Sequence, residues 1–255
     1  MKIALYSDLH LETYRQRDWQ LPAPDVDVLI LAGDIAGRDD GLRWAAQTYR
    51  GLPVIYVAGN HEFYGEHLGF LATLRQTAKE LGVHFLERDA LDIDGVRFLG
   101  ATLWSSFELF GTELAPACMN IANASIPDYR AIQARPGRRL TPLASSKLHR
   151  TALDWLDAEL AKPHAGKTVV VSHFAPHRQC VAPQYQDSPL SPYFINDLSP
   201  LLRKHRIDLW CHGHTHTNND FIAENGCRVI ANQRGYPKEF AAGEIGFKED
   251  LVIEL

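Results

Sequence analysis

The run Cys211-His212-Gly213-His214-Thr215-His216 closes the short apolar stretch 207–210 and carries the densest group of potential metal donors in the chain. Alternate residues of extended backbone point the same way, so His214 and His216 can aim two imidazoles at one point. Such a pair can hold half of a metal site, although a histidine-rich surface loop would account for it equally well. The same two-residue spacing recurs at Asp8 and His10, where a carboxylate and an imidazole can share one cation. Three further polar groups stand in similar places: Gly33-Asp34, Gly59-Asn60-His61-Glu62 and Ser172-His173. Core-facing strand ends are normally apolar or turn residues, so five polar ends in one chain point to a shared site rather than to solvation.

The elements that would position these groups are short buried strands. Residues 3–6, 26–32, 54–57 and 168–171 are continuous apolar or β-branched runs, and each delivers one of the polar groups at its carboxyl end. Open parallel sheets gather their chemistry beyond those ends. Helical periodicity is expected over 41–50, 66–81 and 145–160, with a short helix near 198–205. Residues 83–86 read as another strand. Asp94-Gly95 between alternating runs predicts a tight hairpin over 91–100, and Asn225-Gly226 a second one over 221–230. A closing strand is expected at 251–255. Residues 104–142 and 179–196 show no sustained period; stretches of that length shape a pocket or mediate contacts between copies.

Composition restricts the class of protein. The 255 residues suit one α/β domain spanning 1–255, with 45% apolar and 22% charged residues. A formal charge of -5 argues against an extended nucleic-acid surface, so a site handling phosphate would need metal to supply positive charge. Cys118, Cys180, Cys211 and Cys227 form no C-x-x-C pair, which fits reduced thiols better than a disulfide framework. Asp8 interrupts the first apolar run before it reaches the length of a signal peptide or membrane span, so a cytoplasmic location is the expectation.

Taken together, Asp8-Leu9-His10, Gly33-Asp34, Gly59-Asn60-His61-Glu62, His173 and Gly213-His214-Thr215-His216 resemble the motif series of the calcineurin-like metallophosphoesterase superfamily, in the same order. The resemblance implies a four-layer α/β/β/α sandwich of two mixed sheets. It also implies two metal sites: Asp8, His10, Asp34 and His216 for one ion, and Asp34, Asn60, His173 and His214 for the other, with Asp34 bridging. Imidazole and carboxylate donors suit Mn, Zn or Fe, divalent or trivalent, better than Ca or Mg. A bridging carboxylate would offset repulsion between cations roughly 3.5–4 Å apart. In such a site the ions polarise phosphoryl oxygens and generate hydroxide that attacks phosphorus in line. His61 is then the group that protonates or stabilises the leaving oxygen.

The resemblance implies a small phosphorylated substrate, a phosphodiester or a phosphomonoester with a nucleotide-like molecule among the candidates, and by analogy with the family the diester is placed slightly ahead. Gly33-Asp34-Ile35-Ala36-Gly37-Arg38-Asp39 lacks the second acid that protein phosphatases of the superfamily carry near the bridging aspartate. His177, Arg234 and Arg130 are candidate phosphate contacts because they lie near the motifs or within the first irregular stretch. His212 is expected to pack beside the site. Two other readings compete: a non-catalytic metal-binding scaffold, and a mononuclear hydrolase of carboxylic esters or amides.

Overall fold

The computed structural model describes residues 1–14, 21, 25–243 and 245–255. In chain order its elements begin with β1 (Lys2–Tyr6), β2 (Val28–Ala32), α1 (Asp40–Thr48), β3 (Val54–Val57), α2 (Leu71–Leu81) and β4 (His84–Phe85). A hairpin, β5 (Asp89–Ile93) and β6 (Val96–Ala101), follows. Next come α3 (Ala115–Ser125), α4 (Asp128–Ala131), β7 (Gln133–Arg135), β8 (Arg138–Arg139), α5 (Pro142–Leu160) and β9 (Thr168–Ser172). The remainder is α6 (Ser191–Phe194), α7 (Ser199–Lys204), β10 (Leu209–His212), β11 (Asp220–Ile222), β12 (Arg228–Ala231), α8 (Pro237–Ala242) and β13 (Val252–Glu254).

The strands form two mixed sheets. One runs β13-β1-β2-β3-β4 and the other β11-β12-β10-β9-β6-β5. Each is parallel at its centre and antiparallel at an edge, through β13 on β1, β11 on β12 and β5 on β6. The apolar runs are continuous because the central strands are buried on both faces. Ile3, Leu5, Ile30, Ile55 and Val57 of the first sheet meet Phe98, Val169, Val171, Leu209 and Cys211 of the second in a dry layer between them. Each such aliphatic side chain stabilises the fold by roughly 1.5–3 kcal/mol through removal from water. The alternate residues, among them Tyr6, Leu31, Tyr56, Val170 and Trp210, face the helices. On those outer faces Leu42, Ala45, Leu74 and Ala78 of α1 and α2, and Ala152, Leu156 and Leu160 of α5, complete the four layers.

Both expected hairpins form. Asp94 and Gly95 take φ of 50° and 78° between β5 and β6, as a tight turn requires. Asn225 and Gly226, with φ of 59° and 80°, lie in the turn from β11 to β12. The expectation of irregular chain over 104–142 needs correction, since α3, α4 and the small β7–β8 hairpin lie there. The period is hidden because α3 buries small residues, Ala115, Cys118 and Ala122, while Ile121 is 39% exposed. Its Pro116 is tolerated in the first helical turn, where no partner for the amide is lost.

The sheets place the polar strand ends at one level. Tyr6 pairs with Leu31, Leu31 with Tyr56, and Cys211 with Val171. Pairing continues into the loops, where Asp8 N donates to Gly33 O and Gly213 N to His173 O, both at 3.0 Å.

Candidate metal centre

Asp8, His10, Asp34, Asn60, His173, His214 and His216 converge where the carboxyl ends of β1, β2, β3, β9 and β10 meet. The backbone there is unusual. Asp8, His10, Asp34, His214 and His216 all have φ between 46° and 73°. Left-handed conformations at non-glycine residues cost about 1–3 kcal/mol each and cluster at functional sites, where surrounding structure holds them. Close approach fixes the glycines: a Cβ on Gly59 would collide with Asp34 Oδ1, and one on Gly33 would lie 2.5 Å from His173 Nδ1.

Two sets of donor atoms share Asp34. In the first, His10 Nε2 lies 3.0 Å from His216 Nε2 and 3.9 Å from Asp34 Oδ2, while His216 Nε2 lies 3.4 Å from Asp8 Oδ1. In the second, His173 Nε2 lies 3.1 Å from both Asn60 Oδ1 and His214 Nδ1, and 3.5 Å from Asp34 Oδ1. Bonds of about 2.1 Å to one ion would separate neighbouring donors by about 3.0 Å in an octahedron or about 3.4 Å in a tetrahedron. The donor spacings and types therefore fit a transition metal in each set. The remaining ring nitrogens support that use: His173 Nδ1 donates to Ala32 O at 2.9 Å and His216 Nδ1 to Glu239 Oε2 at 2.7 Å. Such partners fix the tautomer that leaves Nε2 as a lone pair facing the cluster.

The local field also calls for cations. Burial alone would lower the imidazoles of His173 and His216, yet Asp34 and Asp8 lift His173 to about 9, and Asp8 with Glu239 lifts His216 to about 10. His214 moves the opposite way, held well below the ordinary histidine value by burial and by the His173 charge. A buried carboxylate, Glu62, braces the loops: it accepts from Gly59 N at 2.8 Å, Tyr56 Oη at 2.7 Å and the amides of Asp34 and Ile35 at 3.2 Å.

His61 stands at the edge of both sets, with Nε2 3.8 Å from Asp34 Oδ2. Its Nδ1 donates to Glu12 Oε1 at 2.9 Å, and its Nε2 lies 3.1 Å from Tyr236 Oη. Burial opposes a charge on this ring, but Asp34 and Glu12 outweigh it and raise the group to about 9.

A cleft of about 460 Å³ opens over the cluster. Ile126, Val181, Leu190 and Phe194 are among its apolar walls, and Tyr64, Asp128 and Tyr236 among its polar ones. The two stretches without a period thus both contribute to it. No lysine or arginine lines it among the described residues.

The three candidate phosphate contacts do not join the cleft lining. His177 is buried against Glu224, with Nε2 3.0 Å from Oε2, and its Nδ1 accepts from Gln179 N. Arg130 is exposed and donates to the carbonyls of Ala124 and Ser125 at the end of α3. Arg234 is buried with its guanidinium 3.7 Å over the Tyr14 ring. His212 is buried beside the cluster, 3.2 Å from Asn219 Oδ1 and 3.4 Å from Cys180 Sγ. Residues that sequence reasoning missed are Glu12, Asp128, Tyr236 and Glu239. Only Glu12 carried a local signal, two residues beyond His10.

A four-layer sandwich whose strand ends gather histidine–aspartate clusters is consistent with a dimetal site. The family model for calcineurin-like phosphoesterases matches residues 1–218, and the chain belongs to that family. No curated protein sequence matches it significantly. The phosphopantetheinyl hydrolase of Mycobacterium tuberculosis is similar in structure, with a TM-score of 0.76, 22% identity and 95% of this chain covering 92% of that one. A dimetal phosphatase from Danio rerio superposes with a TM-score of 0.53 at 18% identity, over 91% of this chain and 86% of the other. The described helices include none long and apolar enough to cross a membrane.

Proposed function

We propose that this chain is a binuclear metal-dependent phosphoesterase acting on a small phosphodiester, with Asp8, His10, Asp34 and His216 holding one ion and Asp34, Asn60, His173 and His214 the other. The observation that carries this reading is the pair of donor sets that share the Asp34 carboxylate. Two ions of Mn, Zn or Fe bound there would polarise the phosphoryl oxygens and supply a nucleophile at neutral pH. His61, aimed into the site and held by Glu12 and Tyr236, donates a proton to the leaving oxygen.

The cleft supports the preference for a diester. A monoester dianion or a polyphosphate would gain from further cations, whereas the described lining offers none beyond His61 and the metal sites. Its apolar walls suit an uncharged arm on the phosphate. The Mycobacterium tuberculosis relative is a phosphopantetheinyl hydrolase, and a substrate of that general shape is compatible with such walls. The whole of 1–255 acts as one unit in this reading, since β13 pairs with β1 and Tyr236 and Glu239 reach the cluster. Four free, buried thiols favour a cytoplasmic location.

The test is hydrolysis of bis-p-nitrophenyl phosphate beside p-nitrophenyl phosphate by chelator-stripped protein reloaded with Mn, Zn or Mg. Metal-restored turnover favouring the diester is the expected result. Faster monoester turnover would make the protein a phosphatase. Two bound ions without turnover of either ester would favour the scaffold reading, and one ion without inhibition by phosphate or vanadate the mononuclear hydrolase.

A further inference from the structure

The amide of Asn60 has two ends of opposite character, and only its oxygen can bind a cation. Oδ1 faces His173 Nε2 at 3.1 Å, within the second donor set. Nδ2 points away and donates to Asp128 Oδ1 at 2.9 Å. Asp128 is 1% exposed and lies in α4, in the stretch whose sequence showed no period. The same Oδ1 accepts from Tyr64 Oη at 2.8 Å, and Oδ2 accepts from Tyr193 Oη at 2.5 Å. Three donors thus converge on one buried group. An ionised carboxylate satisfies all three because it only accepts; an amide could match this only by donating to the Tyr193 hydroxyl, and an aliphatic side chain would leave the Asn60 amide without this acceptor.

The two tyrosines extend the connection. The Tyr64 ring stacks on His61 at 4.2 Å, and the Tyr193 ring meets His214 edge-on at 5.2 Å. We propose that Asp128 is the positioning residue of the second metal site: by accepting from Asn60 Nδ2, whose other and longer contact is to Tyr64 Oη at 3.5 Å, it fixes Oδ1 toward the ion, and without it the amide loses its preferred face. This assignment rests on the binuclear reading and adds to it the group that selects one of two amide orientations. Among the described residues Asp128 hydrogen-bonds to Asn60, Tyr64 and Tyr193 and to no donor of the first set, so the larger effect is expected on one ion.

The experiment is a Mn(II) titration of stripped protein by calorimetry, with electron paramagnetic resonance to distinguish isolated from coupled ions. Wild-type protein is expected to take two ions. In Asp128→Ala, which removes the acceptor of the Asn60 amide, one ion keeps its affinity and the other weakens by about 10–100-fold, the usual consequence of losing a partner that orients a ligand. Asn60→Asp alone sets two carboxylates against each other and weakens the same ion. The double variant Asn60→Asp/Asp128→Asn reverses donor and acceptor across that contact and is expected to restore the second ion. A structural role alone would not produce that rescue.

Two ions bound normally by folded Asp128→Ala would overturn the proposal, as would equal weakening of both ions or absence of rescue of Asn60→Asp by Asp128→Asn. If circular dichroism shows that Asp128→Ala does not fold, Tyr64→Phe/Tyr193→Phe keeps the contact between Asn60 and Asp128 and is expected to retain both ions. Selective loss of the second ion in that variant would overturn the proposal. A single ion in the wild-type protein would overturn the binuclear reading and this assignment together, whereas two ions in the wild type and in Asp128→Ala alike would remove only the assignment.

Discussion

Replacing Glu12 with Gln is expected to lower the pH at which the enzyme loses activity, and only with poor leaving groups. Glu12 Oε1 accepts from His61 Nδ1 at 2.9 Å, and the amide of Gln keeps that hydrogen bond while removing the charge. Two unit charges centred about 4 Å apart interact by about 4 kcal/mol at an effective dielectric constant of 20. The Glu12 side chain is 31% exposed, so screening by solvent reduces this to about 1–2 kcal/mol, or about one unit of pKa. The substitution therefore favours loss of the His61 proton about one pH unit earlier. The assay is kcat/KM against pH on a diester with an alkyl leaving group, beside one with a p-nitrophenyl leaving group. The alkaline limb should move down by about one unit for the alkyl ester and stay in place for the aryl ester, which needs little protonation. Superimposable profiles would refute the reasoning. Equal shifts for both substrates would mean that Glu12 acts through His10, whose Nδ1 is 3.5 Å from the same oxygen, and not through His61.

Two other expectations follow from particular contacts. His61→Ala should keep both ions and lose about 10²–10⁴-fold in turnover of an alkyl ester, measured alongside metal content. His149 is buried and accepts no charge readily, with burial holding it below the ordinary histidine value and Nδ1 donating to Leu103 O at 2.9 Å. As pH falls through the ordinary value the unfolded chain takes up a proton that the folded chain refuses, so stability is present above that pH and declines below it. The slope is about 1.4 kcal/mol per pH unit. Denaturant melts of metal-free protein should show this decline, reduced in His149→Asn; an unchanged slope in the variant would contradict it.

Much of the site was legible because its donors follow strands immediately. Their types and order were readable, but the expected alternation of extended backbone was not the cause: Asp8, His10, His214 and His216 have φ of 46–73°, and His214 and His216 face different donor sets. Their supports could not be read this way. Asp128 reaches Asn60 across 68 positions, Glu12 reaches His61 across 49 and Glu239 reaches His216 across 23. Proximity in sequence also misled: His177 follows His173 by four residues yet turns to Glu224, and Arg234 stacks on Tyr14 instead of entering the cleft. In the fold, α3 escaped notice because its buried stripe is made of alanine and cysteine, which carry little hydropathic contrast. The mixed sheets were foreshadowed by Asp94-Gly95 and Asn225-Gly226, whose turn chemistry marks antiparallel pairing at the edges of parallel runs.

The central claim, two ions sharing Asp34, is tested most directly by anomalous diffraction from crystals loaded with Mn. The account predicts two peaks about 3.5–4 Å apart, one bounded by Asp8, His10 and His216 and the other by Asn60, His173 and His214, with the Asp34 carboxylate between them. A single peak, or two peaks with Asp34 bound to only one, would contradict it.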